Sequence, residues 1–154
     1  MTGRLHSINV SAGGVPKLAH SSVAVRVNGV EGDRQRDLRN HGGPARAVCL
    51  YSLELIRALQ AEGHAIEVGC IGENFTLTGV PWDQMVPGAA LEVGDVRIEL
   101  TAYAAPCNNL VPYFAGGKFV RVAQKVHAGW SRLYARVLRE GTVQVGDAVC
   151  FALR

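Results

Sequence analysis

The sequence has 154 residues, 48% of them hydrophobic and 19% charged, which suits one domain with a real core and excludes a disordered chain. Sixteen basic against thirteen acidic residues leave a formal charge of +3, too mild to imply nucleic acid. No apolar run approaches the ~18 residues of a membrane helix. Arg4, His6 and Asn9 stand where a signal peptide needs its apolar stretch, so a cytoplasmic, non-membrane protein is expected.

Eighteen glycines and six prolines are too many for a helical bundle and fit a chain that turns often between short strands. In chain order, strands are predicted at Arg4 to Val10, Val23 to Val27 and Ala47 to Tyr51. A helix follows: Ser52 caps it, Glu54 sits in its first turn, Leu55, Ile56 and Leu59 form its apolar stripe, and Gly63 ends it. Further strands are predicted at Ala90 to Val93, Val96 to Thr101, Phe119 to Val122 and Val149 to Leu153. The stretch from Trp130 to Glu140 reads as a strand with Leu133, Ala135 and Val137 inward and Arg132, Tyr134 and Arg136 outward. Glu140-Gly141 is then expected to turn a hairpin into Thr142 to Val145. Gly94-Asp95, Gly146-Asp147 and Gly32-Asp33 read as hairpin joints. The expected fold class is mostly β, a β-barrel with a few short helices.

The charge distribution is less bland than its sum. No acidic residue separates Glu99 from Glu140, and between them lie Lys118, Arg121, Lys125, His127, Arg132, Arg136 and Arg139. Basic residues are mostly arginine, which suits planar recognition of phosphate or carboxylate. A solvated basic face and an anion site are both compatible with this segment.

Four cysteines, Cys49, Cys70, Cys107 and Cys150, form no Cys-x-x-Cys pair, so neither a structural zinc site nor a disulfide framework is expected. Cys49 and Cys150 lie in apolar strand sequences and read as small buried hydrophobes. Cys70 precedes Ile71-Gly72-Glu73-Asn74, and its role is open. Cys107 lies in Ala-Ala-Pro-Cys-Asn-Asn-Leu and opens the acid-free segment. Nearby positive charge favours the thiolate, which is both a nucleophile and a soft metal ligand. The stretch from Gly32 to Pro44 is polar and rich in arginine and glycine, a composition that lets backbone amides converge on an anion. It also reads as an ordinary surface loop.

Taken together these motifs resemble the MOSC family, named for the C-terminal domain of molybdenum cofactor sulfurase. The matching residues are Gly32-Asp33, Asp37, His41-Gly42-Gly43, Ala47-Val48, Tyr51, Ile71-Gly72-Glu73-Asn74-Phe75, Pro106-Cys107, Arg136-Val137-Leu138, Gly141 and Gly146-Asp147. The match runs from about residue 30 to the C-terminus, so residues 1–154 are expected to form one such domain. The resemblance implies a closed barrel related to the pyruvate kinase barrel domain. It implies the molybdenum cofactor (molybdopterin), with Cys107 as metal ligand and catalytic residue, or as carrier of sulfur in a persulfide. Asp37, His41, Gly42, Gly43, Glu73, Asn74, Arg132 and Arg136 are the expected cofactor contacts. Relatives with the metal reduce N-hydroxylated compounds. A domain standing alone would act as an oxidoreductase with electrons from a separate donor, or as a cofactor or sulfur carrier serving a transfer partner. Pyridoxal phosphate is not expected, since only three lysines are present and no Schiff-base domain accompanies them. One departure stands out: many relatives carry Arg-x-Pro-Cys, and the corresponding residue here is Ala104.

Overall fold

The computed structural model describes residues 2–33 and 43–152. Eleven strands lie among them: β1 (Gly3–Val10), β2 (Leu18–His20), β3 (Ser22–Arg26), β4 (Gly29–Val30), β5 (Val48–Ser52), β6 (Phe75–Thr78), β7 (Ala90–Val93), β8 (Val96–Tyr103), β9 (Leu133–Arg139), β10 (Gly141–Gln144) and β11 (Ala148–Phe151). One α-helix, α1 (Leu53–Ala61), and several 3₁₀ turns complete them. The main sheet runs β11-β7-β8-β9-β5-β6-β1-β2, and β11 also pairs with β1. Seven strands therefore close a ring, and β2 hangs on the second half of β1. A small sheet, β10-β3-β4, lies beside the ring.

Strand alternation fills the barrel. Leu5, Ile8, Leu50, Leu77, Leu91, Val93, Ile98, Leu133, Ala135 and Val149 are buried in one interior cluster. Leu133, Ala135 and Val137 face inward, as their spacing of two predicts. The same alternation corrects Cys150: Val149 takes the inward place, and Cys150 is only half-buried on the other face.

Closure explains where the chain departs from expectation. Glu140 alone separates β9 from β10, yet no hairpin forms between them. Both edges of β9 are already taken, by β8 and β5, so β10 pairs with β3, Gly141 opposite Val25. The Gly94-Asp95 joint is a hairpin, with Val93 opposite Val96. Gly146-Asp147 instead leads from the small sheet into the ring, and Gly32-Asp33 follows β4 without joining two paired strands. Phe119–Val122 is a 3₁₀ turn rather than a strand, because the ring has no free edge left beside it.

Residues 104–132 instead wrap over α1. The helix starts as its sequence dictates, with the Ser52 hydroxyl accepting the Leu55 N–H at 3.2 Å. Its buried Ile56 and Leu59 meet Tyr51, Ile66, Ile71, Leu110, Phe114 and Val122 in a second cluster. This cap holds the segment that carries Cys107 against one end of the barrel.

Candidate functional site

β8 ends at Tyr103, and the chain turns through Ala104, Ala105 and Pro106 to Cys107. The Cys107 carbonyl accepts the Leu110 N–H at 3.0 Å, which starts a 3₁₀ turn over Asn108–Tyr113. Cys107 is half-buried, so its thiol sits on an ordered turn with access to solvent.

Arg132 holds that turn from below. It is only 6% exposed. Its Nη2 donates to the carbonyls of Ala105 (3.2 Å) and Ala104 (3.5 Å), and its Nη1 donates to Ile71 O at 2.7 Å. Its own carbonyl accepts the Ala104 N–H at 2.9 Å. The guanidinium thus ties the turn before Cys107 to the loop that carries Gly72, Glu73 and Asn74. Arg132 was expected to contact an anion; here two of its nitrogens serve backbone carbonyls instead. Nε is buried and has no partner among the described residues.

Glu73 is fully buried beside this charge. Its Oε2 accepts the Thr76 hydroxyl at 3.3 Å, while Oε1 has no partner among the described residues. Burial pushes its carboxyl up to about 7, and backbone N–H groups and the Arg132 charge only partly offset that. Asn74 is a clamp. Its Oδ1 accepts the Cys49 N–H (2.9 Å), and its Nδ2 donates to Asn9 O (3.2 Å) and Asp33 Oδ2 (2.9 Å). Asp33 in turn binds the buried Lys17 ammonium at 2.7 and 2.9 Å. Lys17 and Asp33, which sequence reasoning missed as a pair, anchor the chain after β4 to this end of the barrel. Asp37, His41 and Gly42 lie outside the described residues.

Gly43 is exposed with φ 94°, a conformation that favours glycine, and leads into the turn Pro44–Arg46. The Arg46 guanidinium stacks 5.5 Å from the centre of the Tyr134 ring. Tyr134 is buried on the outer face of β9 with Cys49 and Ala104. Burial pushes its phenol upward, and Cys107 and Arg46 are among the groups whose charge it feels. Arg46 and Tyr134 thus join Cys107 at one end of the barrel; neither carried a motif of its own. Cys49 lies behind them at 2% exposure, its thiol pushed up to about 11 by burial.

Arg136 is not brought to this cluster as a free cation. It is 54% exposed on the barrel's outer surface and paired with Glu99. Strand pairing sets Glu99 opposite Arg136, so this expected cofactor contact carries a surface partner. A recess of about 400 Å³ adjoins the turn, lined by Tyr103, Ala105, Pro106, Gln124, Lys125 and Ser131. Among the described residues no three His, Cys, Asp or Glu side chains gather as a metal site.

The closed barrel presents the half-buried Cys107 just after Pro106, and the comparisons with known proteins bear on this arrangement. The MOSC domain profile fits residues 37–150, and the chain belongs to the MOSC domain family. It is 30% identical over 138 residues to the YflK protein of Bacillus subtilis (strain 168), covering 89% of this chain and 62% of that protein. It is 27% identical over 107 residues to the YiiM protein of Escherichia coli (strain K12), covering 66% of this chain and 48% of that protein. The chain therefore spans less than two thirds of the length of either relative. Among solved structures, YiiM from Geobacillus stearothermophilus superposes with a TM-score of 0.73 at 25% identity, over 99% of this chain and 76% of that one. YiiM from Escherichia coli shares the fold with a TM-score of 0.74 at 19% identity, over 100% of this chain and 71% of that one. No helix among the described residues is long and apolar enough to cross a membrane.

Proposed function

We propose that this domain holds a molybdenum cofactor through the Cys107 thiolate and reduces N-hydroxylated compounds with electrons from a separate donor. The observation that carries the reading is the donor set. The half-buried Cys107 thiol stands on an ordered turn, and the described residues gather no set of three His, Cys, Asp or Glu side chains for a bare ion. A single soft ligand suits a metal that arrives already chelated by its own cofactor. Once bound, the cofactor would supply the two-electron redox chemistry.

The chain's own residues divide the remaining work. Arg132 fixes the backbone before Cys107, so the thiol is held without an entropic cost at each turnover. Its charge, which Glu73 feels, favours negative charge at this end of the barrel. Tyr134 keeps its phenolic proton, since burial opposes ionisation. The recess beside Pro106 has mostly apolar walls with Gln124, Lys125 and Ser131 at hand, which suits a small flat substrate. In the overall reaction a hydroxylamine-type substrate takes two electrons and two protons. Its N–O bond breaks, the oxygen leaves as water, and the amine remains.

The test is elemental analysis of the full chain purified from a cofactor-competent host. Molybdenum near one equivalent in the wild type and its loss in Cys107→Ser, with an unchanged melting curve, is the expected result. Absence of metal from intact protein under saturating cofactor supply would refute the reading. Mass spectrometry of that same metal-free protein would then show whether Cys107 carries a persulfide, the signature of a carrier.

A further inference from the structure

Electrons from a separate donor require a face beside Cys107 on which that donor can settle, so the inference here rests on the reading above. The cap over α1 is the part of the chain that carries Cys107. Its arginines are spent inside the protein. Arg132 serves backbone carbonyls. Arg121 donates through Nε and Nη2 to the two oxygens of Glu62 at 3.0 and 2.7 Å, and its guanidinium carbon lies 3.9 Å from the centre of the Trp130 ring. Just beyond the cap, Arg136 and Arg139 pair with Glu99 and Glu92.

What the cap turns outward is of two kinds. Lys118, Lys125 and His127 are exposed, and they enter no ion pair among the described residues. Val111, Val120 and Val126 are 43, 50 and 60% exposed. The two kinds are interleaved. Lys118, Val120 and His127 line one surface cleft of about 490 Å³, and Lys125 lines the recess beside Pro106. Val126 lies between Lys125 and His127 in the chain. Val111 closes on the same segment, 3.2 Å from where a Cβ on Gly117 would stand. Among the described residues no carboxylate lines either hollow. Of the exposed carboxylates on the loop after α1, Glu62 is held by Arg121 and Glu67 lines neither. Apolar positions set among unpaired basic side chains have the make-up of an interface with an apolar centre and a charged rim.

We infer that this face of the cap is the docking surface for a small acidic electron-carrier protein. Charge decides among the possible occupants. A second copy of the chain, related by a two-fold axis, would set Lys118 and Lys125 against a surface of the same sign. Nucleic acid is recognised through arginines and stacked aromatic rings. Here the arginines are committed, and none of the exposed residues of the cap is aromatic. An acidic protein uses both kinds of group, with its carboxylates on the lysines and its own apolar atoms on the valines. Contacts between redox partners are small and brief, below about 1,200 Å², and complementary charge steers their encounter. Lys125 shares its recess with Pro106, so a carrier seated here lies beside the Cys107 turn.

The experiment is a two-dimensional NMR titration of the full chain, purified from a cofactor-competent host and from a host lacking the cofactor. The probes are flavodoxin, a small acidic electron carrier, and cytochrome c, a basic one. With flavodoxin, saturable shifts at Val111, Lys118, Val120, Lys125 and Val126 are expected in both preparations, weakening as salt rises from about 50 to 300 mM. Cytochrome c should give none. Lys118→Glu and Lys125→Glu should each weaken binding about tenfold or more. Arg4→Glu makes the same change of charge near the start of β1, away from the Asn9 that meets Asn74, and should leave binding unchanged. No binding, shifts centred elsewhere or an equal response to cytochrome c would overturn the inference. So would concentration-dependent shifts of the chain alone at these residues, which assign the face to a second copy, or an equal response to an oligouridylate, which assigns it to nucleic acid. Molybdenum content decides the cofactor reading separately, since docking by the cofactor-free chain is a property of the surface alone.

Discussion

Glu73→Gln tests the electrostatics under the site without any ligand. The Glu73 carboxyl is fully buried, and its ordinary value of 4.5 is raised to about 7. Between those two values the unfolded chain has lost the proton while the folded chain keeps it. The native state then binds one more proton, so stability falls as pH rises. The group's contribution is fully present below pH 4.5, declines up to about 7 and is constant above that. The swing corresponds to about 3 kcal/mol, or roughly 10 °C in Tm for a domain of this length. The glutamine side chain has nearly the same shape as the glutamate it replaces, can still accept the Thr76 hydroxyl and does not titrate. Subtracting the variant's curve from the wild-type curve cancels every other titrating group. Urea unfolding of both proteins at five pH values from 4.5 to 8.5, at fixed ionic strength, measures the difference. Wild type should lose ground to Glu73→Gln as pH rises to about 7 and run parallel to it above. A difference independent of pH would refute the reasoning. A difference that grows in favour of wild type with rising pH would show that Glu73 is an ionised partner of Arg132 throughout.

The thiols should separate by burial. With a limiting alkylating reagent at neutral pH, Cys107 should label before Cys49, whose 2% exposure and upward-shifted thiol keep it unreactive; peptide mapping that found Cys49 first would place the accessible thiol elsewhere. Arg132 and Arg136 should behave oppositely on truncation to Ala. Arg132→Ala should cost about 3 kcal/mol or more, since three carbonyls lose a buried charged donor. Arg136→Ala should change stability by less than about 1 kcal/mol and leave molybdenum retention intact, as an exposed surface pair. Chemical denaturation and elemental analysis of both variants check this.

Local signals carried much of the architecture. Ser52, Ile56, Leu59 and Gly63 place α1, and alternation at Leu133, Ala135 and Val137 places the inner face of β9. What depends on ring closure was not local. Phe119–Val122 has strand composition but no edge to join, and Glu140-Gly141 has turn composition but no free partner in β9. The site shows the same division. Pro106-Cys107 was visible as a motif, and the structure presents that cysteine at the surface of an ordered turn. Lys17, Asp33, Asn74 and Arg132 are far apart in sequence, and only the barrel's end brings them together. Nothing in a lone lysine such as Lys17 marks it as 4% exposed. Tyr134 alternates onto an outer face, which reads as solvent until the Ala104 turn covers it.

The departure at Ala104 has a structural reason in Arg132. Ala104 is completely buried, and it packs with Cys49 and Tyr134. Its carbonyl accepts both the Ser131 hydroxyl at 3.2 Å and Arg132 Nη2 at 3.5 Å. The turn before Cys107 is therefore already supported by one guanidinium, reaching it from β9's approach. A second arginine at 104 would bring another buried cation to the same turn, with Glu73 the buried carboxylate that already feels the Arg132 charge. Two such charges a few ångströms apart repel by roughly 4 kcal/mol at a protein-like effective dielectric, on top of the desolvation of each. With Arg132 in place, the turn before Cys107 has its cationic support without an arginine at 104. In this chain the positive charge beneath the Cys107 turn is that of Arg132.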